Sequence, residues 1–115
     1  MTSLAEWVAA RVPPAPTELL AHVARDVEGR GAGDASGDRG NALLDACDQA
    51  LGRVLDASAP TRETALDLLS ADAYVTYAFE AAADAPESIV GRADEAMRRI
   101  SARAERWLPT TEDGR

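Results

Sequence analysis

The sequence predicts an all-α fold, an antiparallel four-helix bundle with an additional short N-terminal helix. Three observations carry that reading. No stretch reads as a strand. Apolar residues recur at helical spacing in five segments, with proline or glycine between most of them. One segment, Thr61–Asp84, is free of glycine and proline and holds both tyrosines, the only phenylalanine and three leucines. Four of the five segments are long enough to pair lengthwise, which is the bundle arrangement.

The first segment, 3–12, opens on Ser-Leu-Ala-Glu, a capping-box pattern with Ser3 as N-cap and Glu6 at N3. Leu4, Trp7, Val8 and Val12 fall on one face, and Pro13-Pro14 ends the helix. This short arm is expected to pack on its own bundle, with exchange onto a second chain as the alternative. The second helix, 17–28, has a buried stripe of Leu20, Val23 and Val27. His22, the only histidine, falls beside that stripe and has no partner at metal-ligand spacing, so it is read as a boundary histidine.

Residues 29–40 hold five of the 8 glycines and are read as a flexible linker. The stretch lacks the phosphate-cradling G-x-x-x-x-G-K-[ST] pattern and carries aspartates that would repel an anion. In the third helix, 41–57, Leu44, Cys47, Leu51, Val54 and Leu55 recur on one stripe. Cys47, between Asp45 and Asp48, is expected to be a buried structural thiol, because a nucleophilic cysteine needs electropositive surroundings. Gly52 suggests a close helix crossing.

The central helix, 61–83, starts at Thr61 as N-cap after Pro60. At 100° per residue, Leu68, Ala71, Val75, Ala78, Phe79 and Ala82 share one apolar face, and Leu66, Leu69, Ala73 and Tyr77 a second. Glu63, Asp67, Ser70 and Tyr74 form the side expected to face solvent. Asp72, Thr76 and Glu80 run between the two apolar faces. With Tyr77, this seam is the candidate site for a small ligand or metal. Its competing reading is a solvated stripe with Thr76 bonded back to the Asp72 carbonyl. The fifth helix, 86–108, begins at Pro86 and carries an apolar stripe of Ile89, Ala93, Ala96, Met97, Ile100, Ala104 and Trp107. Arg92, Arg99, Arg103 and Arg106 are expected on its outer face. Trp7 and Trp107 could meet and close the bundle. Residues 109–115 read as a frayed tail.

The bulk numbers bound the function. A chain of 115 residues is one domain. The net charge is −8, which repels nucleic acid and anionic membranes. Only 86–108 is slightly basic, with 5 arginines against 4 acids. A nucleic-acid regulator acting through that helix is the weakest of the binding readings. All 12 basic residues are arginine, and with abundant alanine this points to a GC-rich bacterial genome. The sequence shows no secretory leader and no apolar run of membrane length, so a soluble cytoplasmic protein is expected. There is no paired nucleophile and base and no cofactor loop, so neither an enzyme nor a cofactor is expected. The expected function is a small acidic helical protein-interaction module that binds another protein or itself as a homodimer, with Trp7, Arg92, Arg99, Arg103 and Arg106 as partner-binding residues. On that reading Trp7→Ala weakens association without unfolding the domain. The alternative is a bundle that binds a small ligand or metal at the seam.

Overall fold

The structure, a computed structural model, describes residues 3–28, 36–83 and 86–107. It is an all-α bundle. The helices are α1 (Leu4–Ala9), α2 (Thr17–Val27), α3 (Ser36–Asp56), α4 (Arg62–Ala82) and α5 (Ile89–Trp107), the last preceded by a 3₁₀ turn at Pro86–Ser88. Among the described residues no helix is long and apolar enough to cross a membrane. The expected linker at 29–35, the Trp107 side chain and the 109–115 tail lie outside the described residues.

Local chemistry sets the helix starts as expected. The Ser3 hydroxyl accepts from the Glu6 amide at 3.0 Å, and Glu6 Oε1 accepts from the Ser3 amide at 3.0 Å, which closes the capping box. Thr61 Oγ1 accepts from the Thr64 amide at 3.1 Å and caps α4. Two boundaries differ most. α1 ends at Ala9, short of the expected residue 12, and Val12 is exposed. α3 begins at Ser36, inside the stretch expected to be a linker. Gly40 on this added turn is buried, and a Cβ there would stand 2.9 Å from the Arg92 guanidinium carbon of α5. Tertiary packing has overridden the poor helix propensity of glycine.

Cross-helix pairs give the directions. Arg53 meets Asp67, and Cys47 shares a groove with Ala71, so α3 and α4 run antiparallel. Glu18 meets Arg62 and His22 meets Asp67, so α2 runs with α4. Asn41 meets Arg92 and Asp48 meets Arg103, so α5 runs with α3. The α3/α4 pair is the centre of the fold, with α2 on one flank and α5 on another. Its core is Leu43, Leu44, Ala46, Cys47 and Ala50 of α3 against Ala71, Tyr74, Ala78 and Ala81 of α4. Alanine on both sides lets the axes approach closely.

The buried side of α4 is only partly the expected one. Ala71, Tyr77, Ala78 and Ala82 are buried as expected, but the rest of the buried stripe differs. Asp67, Ser70 and Tyr74, expected in solvent, are 5 %, 0 % and 0 % exposed. Leu68 and Leu69, expected in the core, are each 52 % exposed. The buried stripe is Asp67, Ser70, Ala71, Tyr74, Tyr77, Ala78 and Ala81, at alternating three- and four-residue steps. Two of its polar members, Asp67 and Tyr74, are matched from the neighbouring helices, whereas the buried Ser70 hydroxyl has no hydrogen-bond partner among the described residues. Asp67 accepts from His22 Nε2 at 2.9 Å and from Arg53 Nε at 3.1 Å. Arg53 Nη2 also donates to Asp26 at 2.6 Å, and the Tyr74 hydroxyl donates to Asp26 at 3.0 Å. A buried carboxylate is tolerated when it is paired and hydrogen-bonded in this way.

Candidate functional site

A recess lies between α4 and α5 with α3 as its floor. It holds about 430 Å³. Cys47 and Leu51 line it from α3, Leu68, Leu69, Ala71, Asp72 and Val75 from α4, and Ile100 from α5. Apart from Asp72 and the thiol, the lining is apolar. Leu68, Leu69 and Ile100 are exposed along its edges, and Met97 and Val90 of α5 are exposed further out. Exposed apolar side chains gathered around a recess are a usual mark of an interaction site. The floor is chemically inert. Burial pushes the Cys47 thiol up to about 11, with the nearby Asp48 charge adding to the shift. The thiol is therefore protonated at neutral pH and packs as a small apolar group, as the sequence led us to expect.

The groove exists because α5 is turned over relative to its expected orientation. Arg92, Arg99 and Arg103 point at α3, and much of its apolar stripe is left in the open. Arg92 Nη1 donates to Asn41 at 2.9 Å, and Arg99 Nη1 donates to Asp45 at 2.8 Å. Arg103 grips Asp48 with two bonds, from Nε at 3.0 Å and Nη2 at 2.8 Å. That pair holds the Asp48 carboxyl below the usual aspartate value. A Cβ at Gly52 would stand 3.1 Å from Arg103 Nη1, so Gly52 does mark a close approach, to an arginine of the neighbouring helix. Among the described residues of the expected stripe only Ala96 is buried, Ala93 and Ala104 are half-buried, and Ile89, Met97 and Ile100 are exposed. The reason is the row Asn41, Asp45 and Asp48 on α3, which offers the arginines partners that solvent would otherwise supply.

The residues expected to bind ligand or partner fall in different places. Asp72 is exposed and lines the groove. Thr76 is exposed, and its hydroxyl donates to the Asp72 carbonyl at 3.2 Å, the solvated-stripe geometry. Glu80 is exposed and lies 4.0 Å from Arg11 Nη1. Tyr77 is buried against the Trp7 ring, with centroids 6.3 Å apart and planes at 86°. The four therefore do not form one site. Trp7 is a core residue, 8 % exposed, with the Arg11 guanidinium 4.0 Å and the Arg39 guanidinium 5.1 Å from its ring centroid. It is not a free partner-binding face, because α1 is too short to hold itself up and uses Trp7 as its anchor. Arg92, Arg99 and Arg103 are engaged with α3, and only Arg106 of that set is exposed. Reversing Arg99 to glutamate would loosen α5 from Asp45 before it tested any partner.

Sequence reasoning passed over a second feature. His22, read as a boundary histidine, is buried in the α2/α4 contact on Asp67. The signal was present as two matching polar rows, His22 and Asp26 on α2 and Asp67 and Tyr74 on α4. It becomes readable only once α2 is known to run beside α4.

No protein-family model matches the chain, and no match is found to a curated protein or a solved structure. The functional reading rests on the chain's own geometry.

Proposed function

We propose that the chain is a non-enzymatic protein-interaction module that accepts the apolar face of a basic amphipathic helix in its α4/α5 groove. The observation that carries this is the exposure of Leu68, Leu69 and Ile100 around a recess of about 430 Å³. A helix laid in such a groove contributes anchors at i, i+3 or i+4, and i+7. Charge selects the partner. The chain carries −8 overall, Asp72 stands in the groove lining, and Glu105 is exposed on the outer side of α5, where Asp94 is paired with Arg98. Basic residues flanking the apolar anchors would be drawn to that rim, whereas a second copy of the chain would bring a further −8 against it. The buried, protonated Cys47 thiol agrees with a cytoplasmic setting.

The test is titration of the full chain with a lysine-flanked, leucine-faced helical peptide, alongside a measurement of solution mass. We expect saturable binding by the wild type, weakened at least about ten-fold by Leu69→Asp, which places a charge on the apolar edge that the partner helix would cover. Leu69 is half exposed, so the variant should keep the wild-type thermal melt to within about 0.5 kcal/mol. Equal binding by Leu69→Asp and wild type would remove the groove from the interaction. A dimer mass that Leu69→Asp converts to monomer would assign the groove to a second copy instead. A small apolar ligand is the second reading, favoured by a volume inside the usual range of about 300–1,000 Å³ for ligand sites. It would appear as an added mass in native mass spectrometry.

A further inference from the structure

The α2/α4 recess is separate from the groove and is lined by Glu18, Ala21, His22, Arg25, Glu63 and Leu66, enclosing about 240 Å³. His22 is fixed there from behind. Its Nε2–H donates to the buried Asp67 carboxylate at 2.9 Å, and Asp67 is itself held by Arg53. Arg25 Nη2 donates to Nδ1 at 3.1 Å, which makes Nδ1 the unprotonated nitrogen of the ring. That lone pair belongs to the recess, 3.6 Å from Glu63 Oε2.

We propose that this recess is a site for a divalent transition-metal ion of the zinc type. His22 Nδ1 and the Glu63 carboxylate are its ligands, Asp67 holds the imidazole in the ligating tautomer, and water completes the coordination. Three points support it. Ligand atoms at about 2.0–2.2 Å from a tetrahedral metal stand roughly 3.3–3.5 Å apart, close to the separation present. The His22, Glu63 and Asp67 donor atoms all lie within 4.8 Å of one another, with the carboxylate–histidine pairing that commonly supports a metal-bound ring. The position between Nδ1 and Glu63 already draws positive charge. Arg25 Nη2 lies 3.1 Å from one and 3.6 Å from the other, in the place a metal cation would take. Arg25 is exposed and its ion pair is solvent-screened, so it can swing clear. Nothing in the buried half of the network has to move, because Arg53 keeps both Asp26 and Asp67.

The test is calorimetric titration of the chelator-treated full chain with zinc chloride, compared across variants at two exposed positions. We expect saturable binding of one zinc ion per chain. Glu63→Gln should weaken it at least about ten-fold, the scale on which metal sites lose affinity when a supporting group is removed. Arg25→Ala should tighten binding, since it removes the competing guanidinium. The His22 ring nitrogen resonances should shift on zinc addition, with Nδ1 moving most. No saturable binding would overturn the proposal. So would equal affinity in Glu63→Gln, or a zinc response that leaves His22 unmoved, because either marks scattered binding to surface carboxylates. Leu69→Asp should leave zinc binding unchanged, so this proposal and the groove reading can fail separately.

Discussion

Replacing Asp67 by alanine should destabilise the chain by about 3 kcal/mol, while Asp72→Ala should change its stability by less than about 0.5 kcal/mol. Asp67 is the shared acceptor of His22 and Arg53 inside the α2/α4 contact. Its removal strands a buried imidazole N–H. Breaking one partner from a buried charged pair costs about 3–5 kcal/mol, and the low end applies here because Arg53 reaches solvent and retains Asp26. Asp72 has no comparable role, being exposed beside the groove. Urea denaturation of both variants at neutral pH, followed by helical circular dichroism, gives the comparison. Equal small effects would mean that the Asp67 network contributes nothing net to stability.

The same residue sets a pH dependence. Burial alone would raise the Asp67 pKa, but hydrogen bonds from Arg53 and His22 outweigh it and hold the carboxyl below the usual aspartate value. A carboxyl lowered in the folded state contributes stability that is fully present above its unfolded value. That contribution is lost as pH falls through the lowered folded value. The wild type should therefore lose stability in acid below about pH 4, where an unfolded aspartate titrates. In Asp67→Ala the part of that loss due to this carboxyl should be absent. Titration of stability from pH 6 to 2 in both proteins checks the sign.

These two residues also show what was legible in the sequence. Helix existence was, and so were the starts of α1 and α4, because they rest on local chemistry such as Ser3 with Glu6 and Thr61 with Thr64. The thiol at Cys47 was legible too, since its acidic neighbours and apolar stripe agree. The buried side of α4 was not. Alanine and leucine occur nearly all round that helix, so apolar periodicity does not single out one face. The choice fell to His22, Arg53 and Asp26, which come from other helices and make burial of Asp67 and Tyr74 tolerable. α5 was misjudged for a related reason. An arginine row normally reads as a solvated face, and only the matching row Asn41, Asp45 and Asp48 on α3 turns it inward. The groove is the result of both, since turning those faces inward leaves Leu68, Leu69, Met97 and Ile100 outside.

Trp7→Ala should cost about 3–4 kcal/mol, within the range for deleting a buried tryptophan. α1 has six residues, far too few to be helical alone, so its order comes from docking Leu4, Trp7 and Val8. Trp7 makes the contact to α4 through Tyr77, and the guanidinium groups of Arg11 and Arg39 lie near its ring. Trp7→Phe keeps an aromatic face for Tyr77 and should lose less than half as much. The check is the urea midpoint of the three proteins at two concentrations, with limited proteolysis after Arg11. A destabilised Trp7→Ala whose arm is cut early, and a midpoint independent of concentration, are expected if α1 packs on its own bundle. A midpoint that rises with concentration in the wild type and not in Trp7→Ala would show α1 exchanged onto a second chain. The two outcomes bear on function directly. With α1 docked in place, Tyr77 and the core near it are covered within the chain. Leu68, Leu69 and Ile100, exposed between α4 and α5, then remain for the proposed partner helix to cover.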